Sequence, residues 1–431
     1  MSDRSESPES PESSAPTGRV VGFLRSHFGG LPPVYWAVWS GILVSRAGTM
    51  VVPFLTLYLT DQRAMSVTWA GAVVTALGLG STCSQLVGGF LSDLWGRRAT
   101  FATGPVAAGA ALLALGYVRG LVPILATAFL AGLCLQLYQP ASGAIVADAV
   151  PKEDRPRAYG LLYWAVNVGF SVASVLGGVL AQRGFMWLFW IDAVTCVLFG
   201  LLIWWRLPAD DVRPAQSAQQ PSGSYREVLR DRVMVAYALL LLLHASVQFQ
   251  VGATLPLAMV DSGLTSADYG LAVAVNGVLV VVVQPLLIKW LSQKDHSAVI
   301  ACGVLLMGTG FGLGAYVSSL AGYAVTVVIW TAGEIAIAAV VQTIVADLAP
   351  EHLRGRYNGL FGAAYALAAV VAPAGGTQLY AHAGSTALWA TCFGVCVLVA
   401  AGQWALGRAI RERSALQTDD ATRAKEPLDH D

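Results

Sequence analysis

Charge is scarce in this chain of 431 residues: Asp, Glu, Lys and Arg make up 12% of it, about half the share usual in a soluble domain. Lysine is scarcest, with four residues, none of which follows a glycine. A phosphate-binding G-x-x-x-x-G-K-[ST] loop is therefore excluded, and with it ATP hydrolysis through such a loop. The six histidines show no metal-ligand spacing, and HExxH, GxSxG and GxGD are missing, which removes the usual intramembrane hydrolases. The six cysteines form no CxxC pair, and all fall in apolar runs, so neither a disulfide framework nor a thiolate metal site is expected. Cys392 and Cys396 stand one helical turn apart, a spacing for packing rather than redox chemistry. Formal net charge is zero, so the sequence carries no basic footprint for nucleic acid.

What the chain has in abundance is apolar sequence, 56% of all residues, together with 45 glycines. About 20 consecutive apolar residues span a bilayer as a helix, and small residues let such helices approach closely. Twelve spans can be drawn: 34–59, 68–91, 99–118, 122–147, 158–181, 185–206, 233–259, 268–291, 297–318, 321–347, 357–381 and 385–407. Residues 1–30 are polar and rich in Ser, Pro and Glu, and read as a disordered tail. Residues 208–232, with "PAQSAQQPSGS", read as a linker between a bundle over 31–207 and another over 233–408. Residues 409–431 form a second polar tail. Of 26 basic residues, 22 lie on one side in this scheme, three (Arg63, Arg119 and Arg183) on the other, and Arg46 within the first span. By the positive-inside rule both tails are expected in the cytoplasm.

An internal repeat supports the division. "IVADAVPKEDRPRAYGL" at 145–161 and "IVADLAPEHLRGRYNGL" at 344–360 share nine of 17 positions at an offset of 199 residues. Both follow the fourth span of their half. Equal offset and equal topology imply two parallel six-helix repeats with a substrate path between them.

The loop after the second span reads Gly89-Phe-Leu-Ser-Asp93-Leu-Trp-Gly96-Arg97-Arg98. It resembles G-x-x-x-D-R-x-G-R-[RK], the loop signature of the major facilitator superfamily, with Leu94 in place of the usual Arg. Asp93 could accept hydrogen bonds at a helix end, Gly96 permits a tight turn, and the arginines hold the loop inside. The resemblance covers the chain outside its tails and implies an all-α integral membrane fold of twelve helices in two pseudo-symmetric bundles. It also implies that Asp148 with Arg155, and Asp347 with Arg354, join the Asp93 loop as a cytoplasmic gate. Helix capping and topology are the compatible plainer roles. The fifth span carries Gly169-Phe-Ser-Val-Ala173-Ser174-Val-Leu-Gly177-Gly178, similar to the GxxxGPxxGG of drug/proton antiporters but without the central Gly-Pro. The arginine those antiporters place in the fourth span is missing, and Gln136-Leu-Tyr-Gln139-Pro140 stands there. "SRAGTMVVPFLTLYLT" (45–60) and Gly333-Glu334-Ile335 resemble short stretches of proton-coupled peptide transporters.

Ionisable groups at the bilayer centre are costly and mark function by default. Arg46 and Glu334 lie near mid-span in the first and tenth spans, which in this superfamily line the central cavity. Together they are the expected proton-coupling pair. His244 in the seventh span is the reserve, although a neutral imidazole can simply bond a neighbouring backbone. Gln136, Gln139, Tyr163, Asn167, Gln248, Trp330 and Gln342 are the expected cavity residues, with Tyr163, Asn167, Ser171 and Ser174 forming one polar stripe. Asp192 lies nearer a membrane interface and reads as structural. The expectation is a secondary transporter of the plasma membrane, neither enzyme nor sensor, without cofactor. Its partners would be a small molecule, protons and lipid, and it would act as a monomer. Proton-coupled efflux of a drug-like compound is the leading function. Proton-coupled uptake of a peptide or other polar nutrient is the alternative, and an intramembrane enzyme the distant one.

Overall fold

The computed structural model describes residues 30–138, 146, 149–151, 154–207, 225–350 and 353–423, and among them there is no β-strand. The first half holds α1 (Pro33–Gly48), α2 (Val51–Leu57, run on by a π-helical turn Tyr58–Gln62), α3 (Val67–Trp95), α4 (Arg97–Tyr117), α5 (Leu121–Leu135), α6 (Arg155–Arg183) and α7 (Met186–Arg206). The second half holds α8 (Tyr225–Arg230), α9 (Arg232–Gln248), α10 (Gln250–Ala253), α11 (Leu255–Asp261), α12 (Ser266–Leu291), α13 (His296–Leu313), α14 (Leu320–Leu348) and α15 (Arg354–Arg423). Among the described residues ten helical segments are long and apolar enough to cross a membrane. Two features separate ten from the twelve expected. α15 is one continuous assignment broken at Gly384 (φ 82°). The apolar α5 has only 15 residues and ends at Leu135 in a turn over 136–137.

Local chemistry sets the helix ends. Ser66, Asp231, Asp295 and Ser319 each accept a backbone N–H at the start of α3, α9, α13 and α14, satisfying donors the helix leaves free. Thr265 and Asp268 close a reciprocal capping box on α12. At Gly96 the φ of 88° allows α3 and α4 to turn back within one residue, a backbone state that a side chain disfavours.

The repeat seen in the sequence recurs in the backbone. The first spanning segment of each half is interrupted, after Gly48 in one and after Gln248 in the other. Ala64 (φ 50°) and Gly263 (φ 82°), 199 residues apart, take positive φ in corresponding loops. Gly184 and Gly384 do the same before the last spanning helix of each half. Matching irregularities are stronger signs of a shared architecture than matching helices, because any apolar run can become a helix in lipid.

Within the first half α1 packs on α6 and α7, α3 on α5, and α4 on α7. Within the second, α13 packs on α14 and α15, α9 on α15, and α12 on α14. The two bundles meet along α6 with α12 and α3 with α15. Glycines make these seams close. A methyl group on Gly178 would lie 2.6 Å from the Ser266 carbonyl, and one on Gly270 2.1 Å from that of Ser174. One on Gly78 would lie 2.5 Å from the Ala369 carbonyl, and Gly71 faces Thr377 as tightly. Between the bundles Ser266 of α12 donates to the Gly178 carbonyl of α6 (3.2 Å), Thr56 of α2 to that of Gly252 in α10 (3.4 Å), and Phe54 of α2 meets Tyr269 of α12 edge-on.

All these contacts belong to the half of the molecule opposite the basic loops. Toward the basic end the same helices present exposed residues: Tyr159, Gly160 and Tyr163 on α6, Gln342 on α14, and Asn358 and Tyr365 on α15. The closest approaches between the bundles lie toward the end opposite the basic loops.

Candidate functional site

Near the seam between the bundles, one acid is surrounded by neutral polar groups. Glu334 of α14 accepts a hydrogen bond from Gln248 Nε2 of α9 (3.0 Å) and another from Asn276 Nδ2 of α12 (2.7 Å). Asn276 is buried and also donates to the Thr331 hydroxyl, one turn before Glu334 on α14 (3.0 Å). Gln248 uses its carbonyl to accept from Tyr365 of α15 (3.3 Å). A second tyrosine arrives from the other bundle: Tyr163 of α6 lies within the electrostatic reach of Glu334, beside Asn167 and Gln284. Four helices of one bundle and one of the other thus converge on a single carboxyl group.

The helix pattern explains the convergence. Gln248 is the last residue of α9, where the spanning helix breaks. Glu334 and Thr331 share one face of α14 by their three-residue spacing. The polar stripe on α6 divides in two. Ser171 and Ser174 spend their hydroxyls on carbonyls of their own helix, at 2.9 and 2.8 Å, and pack against Gly277 and Gly270 in the seal. Tyr163 and Asn167 lie farther along, toward the basic end.

Among the described residues no ion pair reaches Glu334. Arg46 is engaged elsewhere: its Nη2 donates to the Tyr138 hydroxyl (2.7 Å) inside the first bundle, and its Nε is buried without a partner. Asp192 is fully buried in α7 and accepts from the Val51 amide (3.3 Å) where α2 restarts after the break. The two charges expected to face one another therefore have separate partners, one set in each bundle.

The other expected residues scatter. His244 is buried within the second bundle, facing Gln403, Ile300 and Ile337. Trp330 is buried against Phe311, their rings stacked at 5.7 Å, on the side of α14 facing α13. Gln342 is exposed toward the basic end, and the Gln136 carbonyl oxygen is buried without a partner. Gln139 and Asp148 lie outside the described residues, as do the side chains of Gly89, Asp93 and Arg97. Arg98 lies 4.6 Å over the Trp204 ring and donates to that residue's carbonyl (3.1 Å from Nε), closing the end of α7. Arg155 bonds the Val150 carbonyl (3.2 Å), Arg354 is exposed, and Asp347 lies 3.8 Å from His296 of α13.

Sequence reading missed Asn276, Thr331, Gln284 and Tyr365. Asn276 and Gln284 had a signal, as the amides in the apolar run "LAVAVNGVLVVVVQPLL". Thr331 and Tyr365 had none, because single hydroxyls are common in membrane helices.

Two helical repeats with matching interruptions, packed through α6 with α12 and α3 with α15 beside a buried polar site, have the architecture of a membrane transporter. The family model of the Major Facilitator Superfamily matches residues 38–294 and 238–428. The chain belongs to that superfamily: it is a membrane transporter and not an enzyme. It is 26% identical over 361 residues to a Na(+), Li(+), K(+)/H(+) antiporter of Planococcus maritimus, covering 75% of this chain and 84% of the relative. It is 28% identical over 354 residues to the multidrug resistance protein MdtH of Yersinia pestis (strain Pestoides F), covering 80% and 86%. Among solved structures, the nucleoside transporter NupG superposes with a TM-score of 0.74 at 13% identity, over 86% of this chain and 99% of that one. A peptide transporter POT superposes with 0.74 at 16% identity, over 90% and 96%. These two likenesses show the fold.

Proposed function

We propose that this protein is a proton-coupled antiporter that exports a drug-like or amphipathic small molecule, with Glu334 as the group that carries the proton. The observation behind the reading is the setting of Glu334: a carboxyl group near the seam of two bundles, held by two neutral amides and, among the described residues, by no cation. A carboxylate bonded only to neutral donors gains or loses a proton without leaving an opposite charge stranded. Tyr163 belongs to the bundle that must move relative to Glu334 when the seal opens. The surroundings of the acid, and so its proton affinity, then differ between the two states, which is the minimum for coupling. The antiporter and multidrug relatives support exchange over uptake.

The positive-inside bias puts the basic end in the cytoplasm of a plasma-membrane protein working as a monomer. The closely packed end is then outside. Arg46, with its unpartnered Nε, is assigned to the substrate side of the cavity instead of to Glu334. The Asp93–Arg97–Arg98 loop and the Arg155, Asp347 and Arg354 positions would close the basic end in the opposite state.

Proteoliposomes with an imposed pH gradient test the reading across cationic drugs, dipeptides, Na⁺, Li⁺ and K⁺. The wild-type protein should accumulate a drug-like compound against its gradient while protons leave. Glu334→Gln should abolish that accumulation and keep substrate exchange. A Glu334→Gln protein that concentrates substrate with unchanged pH dependence rules the role out. The monovalent-cation reading has its own support in the first relative and in the oxygens of Glu334, Asn276, Gln248 and Thr331. It predicts that Na⁺, Li⁺ or K⁺ alone discharges the proton gradient. Peptide flux in the direction of proton entry would restore the uptake reading.

A further inference from the structure

The second bundle holds a small, partly open cavity between α9, α13, α14 and the part of α15 beyond Gly384, which Glu334 does not line. Its walls are apolar, Leu240, Leu241, Ile300, Val304, Ile337 and Val399 among them, with two exceptions. One is His244, 7% exposed, whose Nδ1 is buried without a hydrogen-bond partner. The other is Gln403, 1% exposed, whose Nε2 is likewise buried and unpartnered. The nearby Tyr237 hydroxyl is already bonded to the Val341 carbonyl (3.0 Å).

Two orphaned polar atoms lining one apolar cavity are costly. A buried amide or imidazole nitrogen without a partner gives up its hydration with nothing in return, and lipid offers no bulk water to relieve it. The cavity is about 20 Å³ in size, and a site needs about 10–15 Å³ on this measure to hold a single water. No carboxylate or thiol lines it, so its donor set does not suit a metal ion, and its size excludes an organic molecule. We propose that this cavity is a binding site for one ordered water, which bridges His244 of α9 to Gln403 of α15.

The Gln403 amide N–H donates to the water oxygen, and the water donates to Nδ1 of the neutral His244 ring, whose proton then sits on Nε2. With the Gln403 amide turned over, the water donates to its carbonyl oxygen and the site still works. The bridge ties α9, one turn before its break at Gln248, to the last spanning helix of the bundle. It is independent of the transport reading, because neither residue touches Glu334.

The test is a double-mutant cycle on the full chain in detergent or nanodiscs, read as thermal midpoints, with density from a high-resolution cryo-EM map as the second measurement. His244→Leu and Gln403→Leu should each lower the midpoint by about 2–4 °C, because each strands the other group. The double variant should lose clearly less than the two together. The map should show a density peak within hydrogen-bond distance of both side chains. Additive losses, or a map that resolves other internal waters but shows no peak here, overturn the proposal. Should a leucine variant fail to fold, the map of the wild-type protein decides alone.

Discussion

At Glu334 the choice of neighbours matters more than the acid. A carboxylate held by Gln248 and Asn276 is stabilised by about 1.5–3 kcal/mol per charged hydrogen bond, and each bond can be removed without adding charge. Asn276→Leu, close to isosteric, should therefore cut proton-driven transport about tenfold or more while the protein still reaches the membrane. Proteoliposome flux beside a detergent melt would check this; flux within a factor of two of wild type would contradict it. Asn276→Asp poses the complementary question, because a second carboxyl 2.7 Å from the first adds like-charge repulsion. That variant should shift the pH dependence of transport more than its rate at the best pH, as read from a full pH profile.

At the scale of elements, the basic end of the second bundle is fastened by the last helix. Asp231 caps α9 through the amides of Val233 (3.0 Å) and Met234 (3.3 Å) and takes a forked bond from Arg413 of α15 (2.9 Å from Nη2) and another from Tyr357 (2.7 Å). Asp295 caps α13 and pairs with Arg411 (2.8 Å). Burial works against the charge on Asp231, but the bonds from Arg413, Tyr357 and Met234 outweigh it and hold the carboxyl below the usual range. A folded-state value below the unfolded one contributes stability above the unfolded value of about 3.9, lost as pH falls through the folded value. Thermal midpoints should thus be flat from pH 7 to about 5 and drop below about 4. Asp231→Asn should lower the plateau and flatten the drop, in melts taken at matched salt. An unchanged acid limb in that variant would show that other carboxylates carry it.

The seam helices behave differently from the clamp, since they must part. At Gly277 an added methyl would lie 1.8 Å from the Ser171 hydroxyl, and at Gly270 2.1 Å from a carbonyl oxygen. Replacing Gly277 with Leu should hold α12 away from α6, disfavour the sealed state and stop turnover, with the second bundle itself still folded. The measurement is thiol labelling at a cysteine placed at Ser266, which should react faster from the outside when Gly277 is enlarged. Equal labelling in both backgrounds would mean that the glycines are not what permits the seal.

For the whole molecule, bundles packed closely at the end opposite the basic loops represent one of the two states that transport requires. A cysteine pair at Gly178 and Ala267, where a side chain on Gly178 would stand 2.9 Å from the facing Cα, should cross-link the seal in a background without the six native cysteines. Oxidation should arrest transport, and a third cysteine at the exposed Gln342 should stay reactive to a thiol reagent from the cytoplasmic side. Continued transport after complete cross-linking would mean that this seam does not open during turnover.

The sequence by itself determined the membrane class, the superfamily, the two-fold repeat and the placement of Glu334 within a spanning helix. Each is written in contiguous or regularly spaced residues: runs long enough for a bilayer, a loop signature, nine matches at a single offset. It could also show that Arg46 and Glu334 sit at similar depth. Only the tertiary structure decided that they do not pair, because depth along a helix leaves open its rotation and the neighbours it meets. Rotation sent Arg46 toward Tyr138, put His244 and Trp330 inside the second bundle, and turned Asn276 and Tyr365 toward the Glu334 site. Partner choice among polar groups in a membrane bundle follows from packing between helices distant in sequence, and in an all-apolar run no periodicity records which face is turned inward.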